Sequence, residues 1–270
     1  MINRTELARH LEGLYETCNR RDLIHPDPLE HVYRYPDTRD REIVGLISAS
    51  VAYGRVKQIL DSLATIFDIL GPSPRSYILD TTEAQMHRNL KGFKHRWTTD
   101  SELVSLLVGI KRMVECHGSL EKGFAQYIQP DDTDVIPPLT LFVQELLGDT
   151  SVNSLLPRPD KGSACKRQQM FLRWMVRKDN VDPGCWSCLE PSKLIVPLDT
   201  HMFYVGRKLR MTKRKQADMK TAREITGAFK RMVPHDPVRY DFALTRLGIR
   251  ADMSMPDFVK SLQKGARLPD

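Results

Sequence analysis

Two residues in this chain have the types and settings of a nucleophile and its helper. Lys166 closes the run Gly162-Ser163-Ala164-Cys165-Lys166, and Asp199 stands thirty-three positions later in Pro197-Leu198-Asp199-Thr200-His201-Met202-Phe203. Each sits where a helix is expected to begin. A carboxylate at an N-cap accepts backbone N–H bonds, which hold it rigid and ionised. A lysine on the first helical turn faces the positive end of the helix dipole, which opposes its charge and favours the neutral, nucleophilic amine. Such a pair suits attack on an electrophilic carbon, for example the anomeric carbon of a sugar. Plainer roles are open to both: Asp199 as a cap and nothing more, Lys166 as an exposed lysine. The Gly-Ser-Ala turn before Lys166 could also offer backbone N–H groups to a phosphate.

The elements that must position these residues read as helices throughout. Leu7, Leu11, Leu14 and Tyr15 form a stripe near the start, and a Pro-rich connector runs from His25-Pro26-Asp27-Pro28 to Tyr35-Pro36-Asp37. From Asp40 to about Leu70 the chain is helical with a break at Gly54; Ile43, Val44, Leu46, Ile47 and Val51 are apolar on nearly all sides, as in a helix inside a core. Gly71-Pro72-Ser73-Pro74 is a stop. Further helices are expected at 82–90, 100–117, 119–128, 136–148, 166–177, 200–210, 218–232, 236–246 and 255–263, and no strand pattern appears. The fold class is therefore all-α.

The chain has 270 residues, 41% of them apolar, enough for a substantial core. Its longest apolar run, Ile43 to Ala52, is broken by Gly45, Ser48 and Ser50 and is too short to span a membrane. No apolar signal core follows Met1, so a cytoplasmic protein is expected. The five cysteines are dispersed and do not read as a disulfide framework. Cys185-Trp186-Ser187-Cys188 is a single C-x-x-C; zinc would need two more ligands, with His201 and Cys165 the nearest in sequence, and no metal or cofactor is expected. The net charge is +7 and is concentrated: between Arg207 and Arg231 ten basic residues meet two acidic ones. Arg207, Lys208, Lys213, Arg214 and Lys215 lead that run, which suits a polyanion such as a nucleic-acid backbone, or else a solvated helix face.

Three blocks together resemble a known family. Asp40-Arg41-Glu42-Ile43-Val44-Gly45-Leu46-Ile47-Ser48-Ala49-Ser50 is similar to the opening barrel helix of the helix-hairpin-helix DNA glycosylases, the endonuclease III superfamily. Gly162 to Lys166 resembles the hairpin that ends in that family's catalytic lysine, with Ala164 at the second glycine position. Leu198-Asp199-Thr200-His201-Met202-Phe203 is similar to the catalytic-aspartate motif. The resemblance covers roughly residues 40 to 232. The interval from Lys166 to Asp199 is like that of the archaeal 8-oxoguanine glycosylases. Gly184-Cys185-Trp186-Ser187 and Lys213-Arg214-Lys215-Gln216 suggest a bacterial branch of its own.

The resemblance implies two helical lobes around a central cleft: residues 40–195 as a barrel carrying the hairpin, and 1–39 with 196–270 as the second lobe. It implies that Lys166 and Asp199 are catalytic, that a flipped nucleotide is attacked at C1′, and that the partner is double-stranded DNA holding a damaged base or an abasic site. Gly162, Ser163, Arg207, Lys208, Lys213, Arg214 and Lys215 would hold the DNA backbone. Trp186, Trp97, His201 and Phe203 are candidates for the base pocket, core packing being the alternative for the aromatic ones. The protein is expected to be a monomer with no membrane partner. A DNA-binding protein that does no chemistry on this scaffold, or a helical protein-interaction module, are the other readings.

Overall fold

A computed structural model describes residues 4–149, 153–249 and 254–264; residues 1–3, 150–152, 250–253 and 265–270 lie outside it. The fold is all-α. In chain order the helices are α1 (Arg4–Cys18), α2 (Thr38–Val51), α3 (Val56–Leu70), α4 (Pro74–Asp80), α5 (Glu83–Asn89), α6 (Asp100–His117), α7 (Leu120–Ala125), α8 (Ile136–Leu147), α9 (Lys166–Val176), α10 (Thr200–Lys208), α11 (Met219–Lys230), α12 (Asp241–Ile249) and α13 (Met255–Lys264). Among the described residues the only sheet is a hairpin of β1 (Lys94–His95) and β2 (Thr98–Thr99).

The α2 helix is the hub. Asp37 caps it by accepting the Arg39 N–H, and every residue from Glu42 to Val51 is buried. It packs against α3, α4, α7, α9 and the tight turn Pro28–Arg34. A helix with no solvent face must meet neighbours on all sides, and its small residues let them approach. At Gly45 an added methyl would lie 2.9 Å from the Met175 side chain of α9. The chain then leaves α2 through Gly54, whose φ of +103° suits glycine.

The longest helix, α6, opens on a reciprocal capping box between Thr99 and Glu102 and closes at Gly118, in the left-handed conformation. It crosses α8 so closely that a methyl on Gly109 would stand 2.1 Å from the Leu146 carbonyl oxygen. Backbone, not a movable side chain, fills that space.

The remaining helices form a second set of contacts: α1 with α12 and α13, and α10 with α12. One continuous apolar core runs through both sets. The turn Pro28–Arg34, grouped by the sequence with the second lobe, lies instead against α2 and α3. Three expectations are adjusted. α12 begins at Asp241, later than 236, because Asp236 and Pro237 lie in the preceding turn. The stop at Gly71-Pro72-Ser73-Pro74 does end α3, at Leu70 with Gly71 as C-cap, but a short helix not expected there, α4, begins at Pro74 behind a Ser73 cap. The β1–β2 hairpin is too short to show a two-residue alternation, so periodicity could not find it.

Gly109→Ala is expected to lower stability by ~1–3 kcal/mol through overpacking at the α6–α8 crossing. Urea denaturation at neutral pH measures it, with Gly92→Ala as the comparison for the strain of a positive φ without a clash, since nothing lies within 4 Å there.

Candidate active site

Lys166 and Asp199 both line a single cleft of about 540 Å³. Its walls come from both contact sets: Tyr53, Gly54 and Ile59 from the α2–α3 side, Lys166, Met170 and Arg173 from α9, His201 from α10, and Asp241 and Phe242 from α12. Asp27 of the Pro-rich connector reaches the same space and is anchored by Arg246 at 2.6 Å.

Each of the two chemical groups is placed by a helix start. Asp199 caps α10, its Oδ1 accepting the Met202 N–H at 2.8 Å. Its Oδ2 makes no hydrogen bond among the described residues. Lys166 is the first residue of α9 and partly buried. Positive φ is taken up at Gly162 (+79°) and at Cys165 (+48°), not at Ala164. Ala164 therefore meets no conformational penalty there. Among the described residues Lys166 and Asp199 form no ion pair within 4 Å.

The floor of the cleft is a buried charge network that sequence reasoning missed. Arg173 of α9 binds Asp182 at 3.1 Å and also pairs with Asp241. Arg177, one turn on, holds Asp182, Asp179 and Asp236, the last two at 2.9 Å. Burial opposes the charge of both arginines, but the carboxylates around them outweigh it and hold their protons more tightly than usual. Burial pushes the Asp241 carboxyl up to about 6 against the pull of Arg173; the Asp199 charge adds to the rise and Lys166 opposes it. Asp199 and Lys166 thus both act on Asp241. A sequence signal existed: Arg173 stands in the otherwise apolar stretch Met170 to Val176, with Arg177 one turn on, and such arginines need buried partners.

The other expected site residues separate. Of the base-pocket candidates, His201 lines the cleft, its ring close to Gly248 of α12. Trp186 does not. It is 5% exposed, packed among Phe124, Phe142 and Phe171, and its Nε1–H donates to Glu42 at 3.0 Å. Glu42 also accepts the Leu120 and Glu121 N–H groups at the start of α7, and Glu121 in turn accepts the N–H groups of Ser187 and Cys188. The Cys185–Cys188 loop is thus tied to α7 by hydrogen bonds. Burial raises both its thiols, that of Cys188 to about 12, and that of Cys165 to about 11. No group of three or more metal-ligating side chains is found among the described residues.

Trp97 is 61% exposed on the hairpin tip, outside the cleft. It stacks on Tyr53, ring centroids 4.9 Å apart, and Tyr53 in turn lines the cleft and lies under the Arg167 guanidinium. Arg167 donates to the Ser50 and Ser154 carbonyls, so this wall is braced. Phe203 lines a neighbouring groove with Thr200, Tyr204, Arg207 and Lys208.

Of the expected backbone-binding groups, Arg207, Lys208, Lys213, Lys215, Gly162 and Ser163 are exposed. Arg214 is half committed, donating to Asp218 and Thr221. The Gly162 carbonyl accepts the Met219 N–H at 3.2 Å. That bond joins the turn before Lys166 to the start of α11, at the end of the basic 207–215 stretch.

Residues 27–250 match the model of a family described as "Protein of unknown function (DUF2400)". The chain belongs to that family. No curated protein and no solved structure matches it. The matched span contains every cleft residue named above. No described helix is long and apolar enough to cross a membrane.

Arg173→Met is expected to destabilise the fold by ~3–5 kcal/mol, because it leaves Asp182 and Asp241 buried without their shared partner. Chemical denaturation of the variant beside Arg207→Met, an exposed arginine on α10, measures the difference.

Proposed function

We propose that this protein is a DNA base-excision repair enzyme, a bifunctional glycosylase and abasic-site lyase, with Lys166 as nucleophile and Asp199 as its carboxylate partner. The observation that carries the reading is that two helix starts, thirty-three positions apart, bring a lysine and a capped aspartate into one cleft. The resemblance of their flanking motifs to the helix-hairpin-helix glycosylases agrees with it. A cleft of about 540 Å³ falls within the range of sites that enclose a small molecule and can take a flipped nucleotide.

The neutral Lys166 amine attacks C1′ of that nucleotide. The glycosidic bond breaks, its electron pair leaves with the base, and the base takes up a proton. The amine nitrogen gives up its proton and the sugar ring opens to a Schiff base. Loss of a C2′ proton then expels the 3′-phosphate. Asp199, held still by the Met202 N–H, accepts the lysine proton and stabilises positive charge developing on the sugar. Lys208 at the end of the helix that Asp199 opens, and Lys213 and Lys215 beyond it, all exposed, supply phosphate contacts.

Borohydride trapping on duplexes carrying an abasic site or 8-oxoguanine tests this. The wild type should form a covalent adduct and Lys166→Gln none, while Asp199→Asn should slow adduct formation by roughly 10²–10⁴-fold. An adduct that persists in Lys166→Gln refutes the assignment of the nucleophile. Salt-sensitive duplex binding with no wild-type adduct indicates a protein that binds DNA without chemistry; no binding at low salt indicates a protein-interaction module.

Lys213→Ala and Lys215→Ala should each weaken duplex binding irrespective of sequence and reduce the slope of log K against log salt by about 1. Fluorescence anisotropy at several salt concentrations reads both effects.

A further inference from the structure

The β1–β2 hairpin carries a ring that the cleft does not use. Trp97 is 61% exposed, the most open of the large apolar side chains among the described residues. The other two that are exposed, Leu141 on α8 and Tyr204 on α10, belong to other elements. Trp97 is therefore a lone ring and not the centre of an apolar patch. Its surroundings are cationic. Lys94 and Arg96 on the hairpin are exposed, as is Arg55, which follows Gly54, the residue the Arg96 side chain lies against. None of the three forms an ion pair within 4 Å among the described residues.

The ring is fixed from behind. It stacks on Tyr53 with the two planes 25° apart. The Tyr53 hydroxyl lies 2.9 Å from the His95 carbonyl oxygen and 2.6 Å from the Thr98 hydroxyl, and His95 Nε2 lies 2.9 Å from the Tyr53 carbonyl oxygen. These bonds tie both strands of the hairpin to the chain just after α2. The Arg96 guanidinium stands 4.7 Å from the Trp97 ring centroid. Arg96 does so at a φ of +56°, a conformation that favours glycine. The backbone is thus strained at the residue that sets a cation against the ring.

An open ring held in advance, with unpaired cations around it, suits a flat aromatic group joined to negative charge. A nucleotide has both parts: its base stacks on the ring and its phosphate meets the cations. A lipid or an apolar protein surface would instead take Lys94, Arg96 and Arg55 out of water without partners. The base must also be unpaired, because within a duplex its two faces are covered by the bases above and below. We propose that Trp97 is a docking point for single-stranded DNA, its indole stacking on one unpaired base while Arg96 and Lys94 meet the adjoining phosphates. Neither Lys166 nor Asp199 is needed for this, so the surface goes beyond the excision reading and stands or falls apart from it.

Tryptophan fluorescence tests it. The chain has three tryptophans, and Trp174 and Trp186 are 0% and 5% exposed, so a ligand on the surface can stack only on Trp97. An oligothymidylate should quench the emission saturably. A blunt duplex of the same length should not, and neither should oligoglutamate, an anion without bases. Trp97→Ala should weaken binding of a labelled oligothymidylate about fivefold or more, read by anisotropy, with no comparable loss for the duplex. No quenching by the single strand overturns the proposal. So does quenching as strong by the duplex or by oligoglutamate, the latter assigning the surface to an acidic protein partner. Equal loss of single-strand and duplex binding in Trp97→Ala also overturns it. The wild-type titration decides alone if the variant does not fold. Wild type that is quenched by the single strand but traps no abasic site loses the glycosylase reading and retains this surface; wild type that traps without quenching does the reverse.

Discussion

The arrangement of the cleft depends on one buried ion, the guanidinium of Arg173. It projects from α9, the helix that Lys166 begins, and it binds Asp182 in the loop that follows and Asp241 at the start of α12. A cation taken out of water on a helix packed against the core is tolerable only with carboxylates and hydrogen bonds around it. Here those carboxylates come from the two sides of the cleft. Satisfying the arginine therefore sets where α12 meets α9, and with it the depth and the charge of the space between. Arg177 repeats the device one turn later with Asp179, Asp182 and Asp236.

Around that floor the reactive groups are held by backbone, not by each other. Asp199 is fixed through the Met202 N–H, Lys166 through a turn whose positive φ angles fall at Gly162 and Cys165. Neither is neutralised by a short ion pair with the other. A lysine locked to its aspartate would have to break that contact before meeting a substrate. Tyr53, with the Arg167 guanidinium over its ring and Trp97 stacked on it, forms a braced wall of the cleft.

Some of this was legible without coordinates. Helices announced themselves by apolar spacing, as for α2 and α6, and by a cap at α10, behind Asp199. The first glycine and the lysine of the 162–166 run marked a turn into α9. Local rules failed where a residue's role depends on distant partners. Trp186 looked like a base-stacking candidate because its neighbours in sequence are a glycine, a serine and two cysteines. Its neighbours in space are Phe124, Phe142, Phe171 and Glu42, which make it a core residue. Arg214 looked like a free cation and is engaged by Asp218 four positions on.

The amino-acid sequence alone determined the all-α class, the break at Gly54, the two helix starts that carry Lys166 and Asp199, and the basic stretch that begins at the end of α10. These follow from short-range physics: capping, backbone conformation, and the spacing of apolar side chains along one helix. Only the tertiary structure decided that the two starts face one cleft, that Trp186 lies outside it, and that Asp241 lies at its base. Asp241 is forty-two positions beyond Asp199 in the chain and carries no motif. Its place comes from the need of a buried arginine for a second carboxylate, a long-range constraint that no local pattern records.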